Sequence, residues 1–229
     1  MHINLDVASA GLLRENKLFA GMSDAAIAEC AKQFTFIQAR RRQHLYCQGD
    51  PCSQVYCLLR GFVRVARLAE DGSEITTRIA GHCDMFGEEA LFDDLSFTST
   101  ATSLSDGIVA VCSAQRMRAL IGRYPALSIN VAQYLREDQN RTLNRLELAL
   151  YKPVRERLLA LLQELGAQCE SGNAKSGQYE ITLTHFEIAS LIGSTRETVS
   201  LQLNKLARAG AIGKRGRKIV IDLPANAVA

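Results

Sequence analysis

The side chains of Arg196, Glu197, Ser200 and Asn204 are spaced so that, on a helix, they lie on a roughly common outer face. Such side chains can reach the phosphates and base edges of a DNA major groove. Leu201 lies in the same stretch. Leucine cannot donate a hydrogen bond, so it can touch a thymine methyl or simply pack. The pattern predicts a surface that reads nucleic acid.

Two short helices joined by a tight turn are predicted between residues 184 and 206 to position that surface. Thr184 with Glu187, and Ser194 with Glu197, have the spacing of capping boxes at the two helix starts. Gly193 supplies a turn residue that can take a positive φ. An amphipathic hairpin that serves only as core is the alternative. Ala189 is expected where only a small side chain lets the two helices approach, and the apolar seam comprises Ile188, Leu191, Ile192, Val199, Leu203 and Leu206.

Residues 210–222 follow the helix pair and combine a glycine-broken basic turn with a strand-like end. They predict a β-hairpin wing beside the second helix. From Arg196 to Lys218 the chain has seven basic residues and one acidic residue, a balance that suits a polyanion. The predicted DNA contacts are Thr195, Arg196, Glu197, Ser200, Leu201, Lys205, Lys214, Arg215 and Arg217.

The composition is that of an ordinary globular protein long enough for two domains, with 229 residues, 47% hydrophobic and 22% charged. We expect a cytoplasmic location and no membrane partner, because no run of about 18 apolar residues and no signal-like start occurs. The net charge is +4 over residues 151–229 and −1 over residues 1–150. The basic surplus therefore falls in the half with the helix pair.

No enzyme class is indicated by the sequence. It has no phosphate-cradling Gly-x-x-x-x-Gly-Lys, no nucleophile elbow and no His-x-x-x-His pair. A protein-binding module built on a degenerate winged helix is a more serious alternative, because Leu201 cannot read a base by hydrogen bonding. The basic wing argues against that alternative.

The first 123 residues have the sequence pattern of a β domain. A helix is predicted at about residues 24–32 with Ser23 as its cap, and short apolar segments then alternate with glycine turns. Asp71-Gly72 is a hairpin signal between two such segments. Strands are predicted near residues 44–50, 55–61, 62–67, 75–79 and 107–112. This spacing indicates a jelly-roll barrel, so the whole chain is predicted to be α+β.

Residues 124–150 are predicted to form one long helix. We interpret residues 124–152 as a dimerisation helix and hinge, and residues 153–229 as the DNA-binding domain. Packing of the helix on the barrel of its own chain is the alternative. Pro153 ends the helix. The apolar stripe comprises Leu127, Val131, Leu135, Thr142, Leu146 and Ala149.

The chain resembles the CRP/FNR family of bacterial transcription regulators over nearly its whole length. Gly49-Asp50-(x)4-Val55-Tyr56-x-Leu58-x-x-Gly61 and Asp84-Met-Phe-Gly-Glu88 are similar to the family's cyclic-nucleotide-binding signature. Residues 194–200 are similar to its recognition helix. The resemblance implies a homodimer on a palindromic double-stranded DNA site, RNA polymerase as a partner, and a small-molecule effector in the N-terminal domain.

The resemblance places an effector pocket at Gly87, Glu88, Glu89, Thr98, Ser99 and Thr142. Members that bind cyclic AMP carry an Arg-Ser-Ala run whose arginine neutralises the phosphate, and Thr98 stands in that arginine's place. No Arg or Lys occurs between Arg78 and Arg116, so we expect Glu88 to repel an anion. Cyclic AMP in the usual pose is therefore not expected: the pocket holds another ligand or is vestigial.

Leu201 is the second departure from the family pattern. Family members usually carry an arginine here that reads a guanine by two hydrogen bonds. We therefore expect the recognised DNA sequence to differ from the family's common half-site.

Seven cysteines are more than background in a chain with no signal peptide, and no Cys-x-x-Cys pair is present. Cys30, Cys57 and Cys112 lie in apolar patterns and are predicted to be core thiols. Cys47, Cys52 and Cys83 lie near turns and could be reactive. A redox, metal or haem sensor remains an alternative, with no metal ligands assigned and the cofactor unknown.

Overall fold

A computed structural model of the chain describes residues 8–72, 74–92, 95–167, 178–181, 183–215 and 218–222. The chain divides into two compact units. The first unit holds the described residues up to Gly72 and those from Arg78 to Asn140. The second unit holds Glu74–Thr77 and the described residues from Arg141 onward.

Two four-stranded sheets, in the orders β1-β8-β3-β6 and β2-β7-β4-β5, are formed by the strands within residues 35–113. The interstrand register is antiparallel, for example Thr35 opposite Val111. The jelly-roll prediction is confirmed, with two open sheets in place of a closed barrel. The strands are β1 (Thr35–Ala39), β2 (His44–Tyr46), β3 (Gln54–Arg60), β4 (Val63–Leu68), β5 (Glu74–Ala80), β6 (Met85–Phe86), β7 (Thr100–Ser103) and β8 (Gly107–Ser113).

Short helices flank these sheets. The Ser23 hydroxyl accepts a hydrogen bond from the Ala26 amide, so the predicted cap begins the second helix. The sequence did not reveal the third helix, which the Ser113 hydroxyl caps. These helices are α1 (Ala8–Arg14), α2 (Asp24–Ala31) and α3 (Ala114–Arg123), with 3-10 turns at Lys17–Phe19 and Glu88–Phe92.

The long predicted helix is α4 (Pro125–Tyr151). Proline occupies its first position, and the preceding Tyr124 is extended, as proline favours. In the first half of this helix the alternative, packing on the same chain, is observed, and the dimerisation prediction is not tested by a single chain. Leu127 and Val131 are buried in the first unit's core, and Leu135 packs against that core.

The second unit is a helical core with a small sheet in the order β10-β11-β9. Gly213 pairs with Val220 and Arg215 with Lys218, which confirms the predicted wing hairpin. No helix in the described ranges is long and apolar enough to cross a membrane. The elements are α5 (Val154–Ala167), β9 (Gln178–Ile181), α6 (His185–Ile192), α7 (Arg196–Arg208), β10 (Gly213–Arg215) and β11 (Lys218–Asp222).

Candidate nucleic-acid interface and effector site

The first helix of the predicted pair starts and ends as the sequence indicates. The Thr184 hydroxyl accepts from the Glu187 amide at 3.2 Å, and the Thr184 amide donates to the Glu187 carboxylate at 2.6 Å. This reciprocal pair is a capping box. Gly193 ends α6 in the left-handed conformation, with φ of 60°, and its amide donates to the Ala189 carbonyl. The chain therefore turns sharply before α7.

The second capping box is corrected by the structure. The cap of α7 is Thr195, whose hydroxyl accepts from the Thr198 amide at 3.2 Å. Ser194 belongs to the turn instead, because its amide donates to the Ala189 carbonyl at 3.0 Å. The predicted Ser194–Glu197 box is wrong by one residue, and α7 starts at Arg196.

One side of α7 is buried and the other is exposed. Val199, Leu203 and Leu206 are buried and, together with Ile188 and Ile192 of α6, confirm most of the predicted seam. Ala189 is buried as well. Leu191 is only half-buried. The exposed residues are Arg196, Glu197, Leu201, Asn204, Lys205 and Arg208, with Thr195 exposed at the cap. Seven residues of mixed chemistry are therefore available to a partner.

Ser200 differs from its predicted neighbours. It is half-buried, and its hydroxyl lies 2.6 Å from Nδ1 of His185 at the start of α6. No sequence pattern couples these two residues, which are fifteen positions apart. The hydroxyl is held against α6, so Ser200 helps to orient the two helices.

The predicted wing residues are placed only in part. Lys214 and Arg215 lie on β10, where their backbones pair with Ile219 and Lys218. Arg217 lies outside the described residues. The hairpin follows α7 after the short segment 209–212.

In the expected effector region, Glu88 forms an ion pair with Arg78, which no sequence pattern predicted. Nη2 of Arg78 donates to both Glu88 oxygens, at 3.0 and 2.8 Å. Nη1 of Arg78 lies 2.9 Å from the Asp138 carboxylate and donates to the Tyr134 hydroxyl at 3.0 Å. Glu88 therefore has a counter-charge that the sequence did not indicate, but Arg78 is shared with Asp138, so the expected repulsion of an anion stays a prediction.

Burial alone would lower the pKa of Arg78, which is only 9% exposed. Its neighbours outweigh burial: Tyr134 and the carboxylates of Glu88 and Asp138 hold the pKa of Arg78 well above its ordinary value. The guanidinium is therefore a permanent positive charge in this site.

The other predicted pocket residues lie in different surroundings. The Thr98 hydroxyl donates to Glu89 at 2.6 Å, and Nε of Arg67 donates to the Thr98 carbonyl at 3.2 Å. Ser99 is buried and hydrogen-bonds to Tyr46. Thr142 belongs to the second unit, where it is exposed.

Aromatic rings fill the interior next to Ser99. Tyr46 stacks on Phe97 with 3.8 Å between ring centroids, and Tyr56 stacks on Phe86 at 5.1 Å. All four residues belong to one buried cluster. At Gly87, with φ of +72°, a Cβ atom would lie 3.0 Å from Tyr56. Glycine is therefore needed there for both conformation and space.

Two family profiles match the chain where this geometry is found. The cyclic nucleotide-binding domain matches residues 36–124, and the Crp-like helix-turn-helix domain matches residues 156–225. The chain is 31% identical over 213 residues to the CRP-like cAMP-activated global transcriptional regulator of Mycobacterium tuberculosis, covering 92% of this chain and 94% of that relative. The chain belongs to the CRP/FNR family of transcription regulators.

Further relatives and solved structures agree. SdrP, a transcriptional regulator of Thermus thermophilus, is 30% identical over 76% of this chain and 82% of its own length. The structure of FixK2 from Bradyrhizobium japonicum has a TM-score of 0.73 and 22% identity, covering 83% of this chain and 93% of that one. At this identity the FixK2 likeness supports the fold alone.

Four of the six cysteines that the structure describes in this CRP/FNR regulator are buried. Burial raises the pKa of Cys30 and Cys112 to about 11, and it raises the pKa of Cys57. These three are core thiols, as predicted. Cys83 is a correction: it is buried, its thiol donates to the Glu15 carbonyl at 3.0 Å, and burial raises its pKa to about 11. Cys47 is exposed.

No group of three His, Cys, Asp or Glu residues suited to a metal ion occurs within the described part of the chain. Cys47 and Cys83 were both predicted to lie near turns, but Cys47 is exposed and Cys83 is buried. The turn near Cys83 carries it inward with φ of 68°, an unusual conformation for a residue other than glycine.

We predict that iodoacetamide labels Cys47 in the native protein more than about a hundredfold faster than Cys83, because only the exposed thiolate reacts readily. Mass spectrometry of labelled peptides gives both rates. Cys47→Ser should remove the fast phase, and urea should make Cys83 reactive. Equal native rates at the two cysteines would contradict this placement.

Proposed function

We propose that this regulator acts as a homodimer on palindromic DNA, reads bases with α7, and responds to an effector other than cyclic AMP in the usual pose. The observation that carries the proposal is the mixed polar and apolar exposed face of α7, which follows a capped turn and precedes a basic wing. Contact with RNA polymerase belongs to the same proposal. The experiment that tests it is a salt-dependent gel shift with genomic fragments.

In the proposed complex, the start of α7 enters the major groove. Arg196 and Glu197 are exposed in the first turn, and Leu201 and Lys205 follow on the same side. The positive end of the helix dipole and the Thr195 cap face the phosphates. Lys214, Arg215 and Arg217 of the wing are assigned to the phosphate backbone.

We expect Arg196→Ala to cost about 1–3 kcal/mol in specific binding and to relax base preference, because an arginine that pairs with guanine supplies discrimination of that size. Lys214→Ala should weaken all sequences alike and flatten the salt dependence. Fluorescence anisotropy with operator and random duplexes measures both effects. Arg155→Ala, at an exposed position on α5, is the matched control.

Unchanged affinity and salt slope in both Arg196→Ala and Lys214→Ala would contradict this docking. So would a selected site whose half-sites are not spaced by about one helical turn, ~34 Å.

The dimer proposal rests on the second half of α4. Leu143, Leu146 and Leu150 are 54%, 55% and 66% exposed, which is unusual for three leucines in one element. Their spacing of three and four residues puts them on one face, as in the seam of a coiled coil. We call these three residues the leucine stripe. A second copy of α4 is the occupant that this spacing fits best, and we accordingly assign dimerisation to the second half of the helix within residues 124–152.

We expect Leu146→Asp to yield monomers that bind the palindrome weakly, because a charge in a dimer seam would be buried without a partner. Analytical ultracentrifugation reports the mass. Gln133→Asp adds the same charge at an exposed α4 position outside the leucine stripe and should remain dimeric. A dimeric Leu146→Asp variant would overturn the assignment.

The Mycobacterium tuberculosis relative is cAMP-activated, but this chain differs in the residues that would hold the cyclic phosphate. In this chain Thr98 supplies no positive charge, Arg78 already engages Glu88, and the aromatic cluster fills the interior beside Ser99. A buried phosphate that lacks charge-assisted hydrogen bonds binds weakly.

We expect calorimetry to detect no binding of cyclic AMP at micromolar concentration. Thr98→Arg alone would place its guanidinium beside Glu89, which Thr98 contacts. The double variant Thr98→Arg, Glu89→Gln should therefore gain more affinity than Thr98→Arg. Micromolar binding by the unmodified protein, coupled to tighter DNA binding, would refute the proposal.

A further inference from the structure

The second unit contains a cavity of about 430 Å³ between the last turns of α4, the middle of α5 and the end of α6. This volume lies in the range of small-molecule sites. Its walls are largely apolar, from Leu148 on α4, Ala160 and Leu161 on α5, and Ile192 on α6. It is separate from the expected effector region, whose residues except Thr142 belong to the first unit.

Arg157 lines this cavity and also carries an unsatisfied donor. Its Nη1 donates to the Ile192 carbonyl at 2.6 Å and to the Gly193 carbonyl at 3.4 Å. Its Nε is buried and has no hydrogen-bond partner. Within the described part of the chain, Arg157 makes no ion pair with a carboxylate. A buried donor of a charged group without an acceptor is rare and calls for an explanation.

Arginines outnumber acidic residues in the lining of the cavity. Its lining contains three arginines, Arg141, Arg145 and Arg157, against one acid, Glu164. Glu164 is matched to Arg145, whose Nη2 and Nε donate to its two oxygens at 2.6 and 3.3 Å. The carboxylate that lines the cavity is therefore already used, and it leaves the charge of Arg157 without a counter-ion.

We propose that this cavity is a binding site for an amphipathic carboxylic acid, with its apolar body against Leu148, Ala160 and Leu161 and its carboxylate on Arg157. The carboxylate pairs with the charge of the guanidinium, which has no carboxylate partner among the described residues. Nη1 keeps its bonds to Ile192 and Gly193 in this arrangement.

Occupancy would reach the helix-turn-helix directly. Arg157 holds the carbonyls at the end of α6, immediately before α7. An anion paired with the Arg157 guanidinium would restrict its motion, and with it the motion of the turn between α6 and α7 that Nη1 holds. This consequence for DNA affinity rests on the proposed function, whereas the binding site does not.

The first test is calorimetry of the full-length protein with decanoate, 1-naphthoate and 1-decanol. We expect at least one acid to bind, and 1-decanol to bind at least about tenfold more weakly than decanoate if the chain form fits, because it lacks the charge. Decanoate has a flexible chain and 1-naphthoate a rigid ring system, so comparing them shows which shape of apolar body the cavity accepts. Absence of binding by both acids, or equal binding of decanoate and 1-decanol with no binding of 1-naphthoate, overturns the proposal.

Variants then locate the site. Ala160→Phe fills the cavity and Arg157→Gln removes the charge, so each should lower the affinity for the acid by about tenfold or more. Arg155→Gln, on the same helix but outside the lining, should bind like the unmodified protein. Affinity unchanged in both Ala160→Phe and Arg157→Gln overturns the proposal.

If circular dichroism shows that either variant is unfolded, the unmodified protein is labelled with a photoreactive analogue of the acid that binds. Crosslinks within residues 141–164 or 190–193 support the site, and crosslinks confined elsewhere overturn it. DNA binding is measured without acid in parallel. If the unmodified protein binds no DNA, the proposed function fails, and if it binds DNA but no acid, only this site fails.

Discussion

A single buried cation, Arg78, constrains the whole first unit. A guanidinium in a protein interior is costly unless charged partners surround it, and removing one partner of a buried pair costs about 3–5 kcal/mol. The partners here come from the turn after β6, through Glu88, and from α4, through Asp138 and Tyr134. The Tyr134 hydroxyl in turn donates to the Met85 carbonyl at 2.6 Å. Helix and sheet are therefore joined by one polar network within an apolar core.

That network and the neighbouring aromatic cluster together define the chemistry of the first unit's interior. Glu88 is committed to Arg78, and Tyr46, Tyr56, Phe86 and Phe97 exclude water from the space around Ser99. Any effector bound there must exchange protein contacts for its own. Conformational response in such a core is an exchange of one packed arrangement for another rather than the filling of an open cleft.

Features that depend on residues close together in the sequence, such as helix faces, caps and turns, were predicted correctly in most cases. The α6–α7 seam follows from helical periodicity, and the Thr184 cap and the Gly193 turn follow from residue chemistry at fixed spacing. The register of the second cap was missed because Ser194 and Thr195 can both cap, and the bond from Ser194 to Ala189 decides between them. The partners of Arg78, the inward turn of Cys83 and the two different environments along α4 depend on residues distant in sequence. Periodicity gives a helix its apolar face but does not say which neighbour covers it.

Leu201 is 53% exposed at the middle of an otherwise polar surface. Each lysine or arginine that neutralises a phosphate releases counterions, and its contribution to affinity declines as salt rises. A leucine in contact with a thymine methyl releases none. In the proposed complex, base discrimination by Leu201 is therefore insensitive to ionic strength, whereas overall affinity is not. Sequence preference at that position would persist at salt concentrations where the charged contacts have weakened.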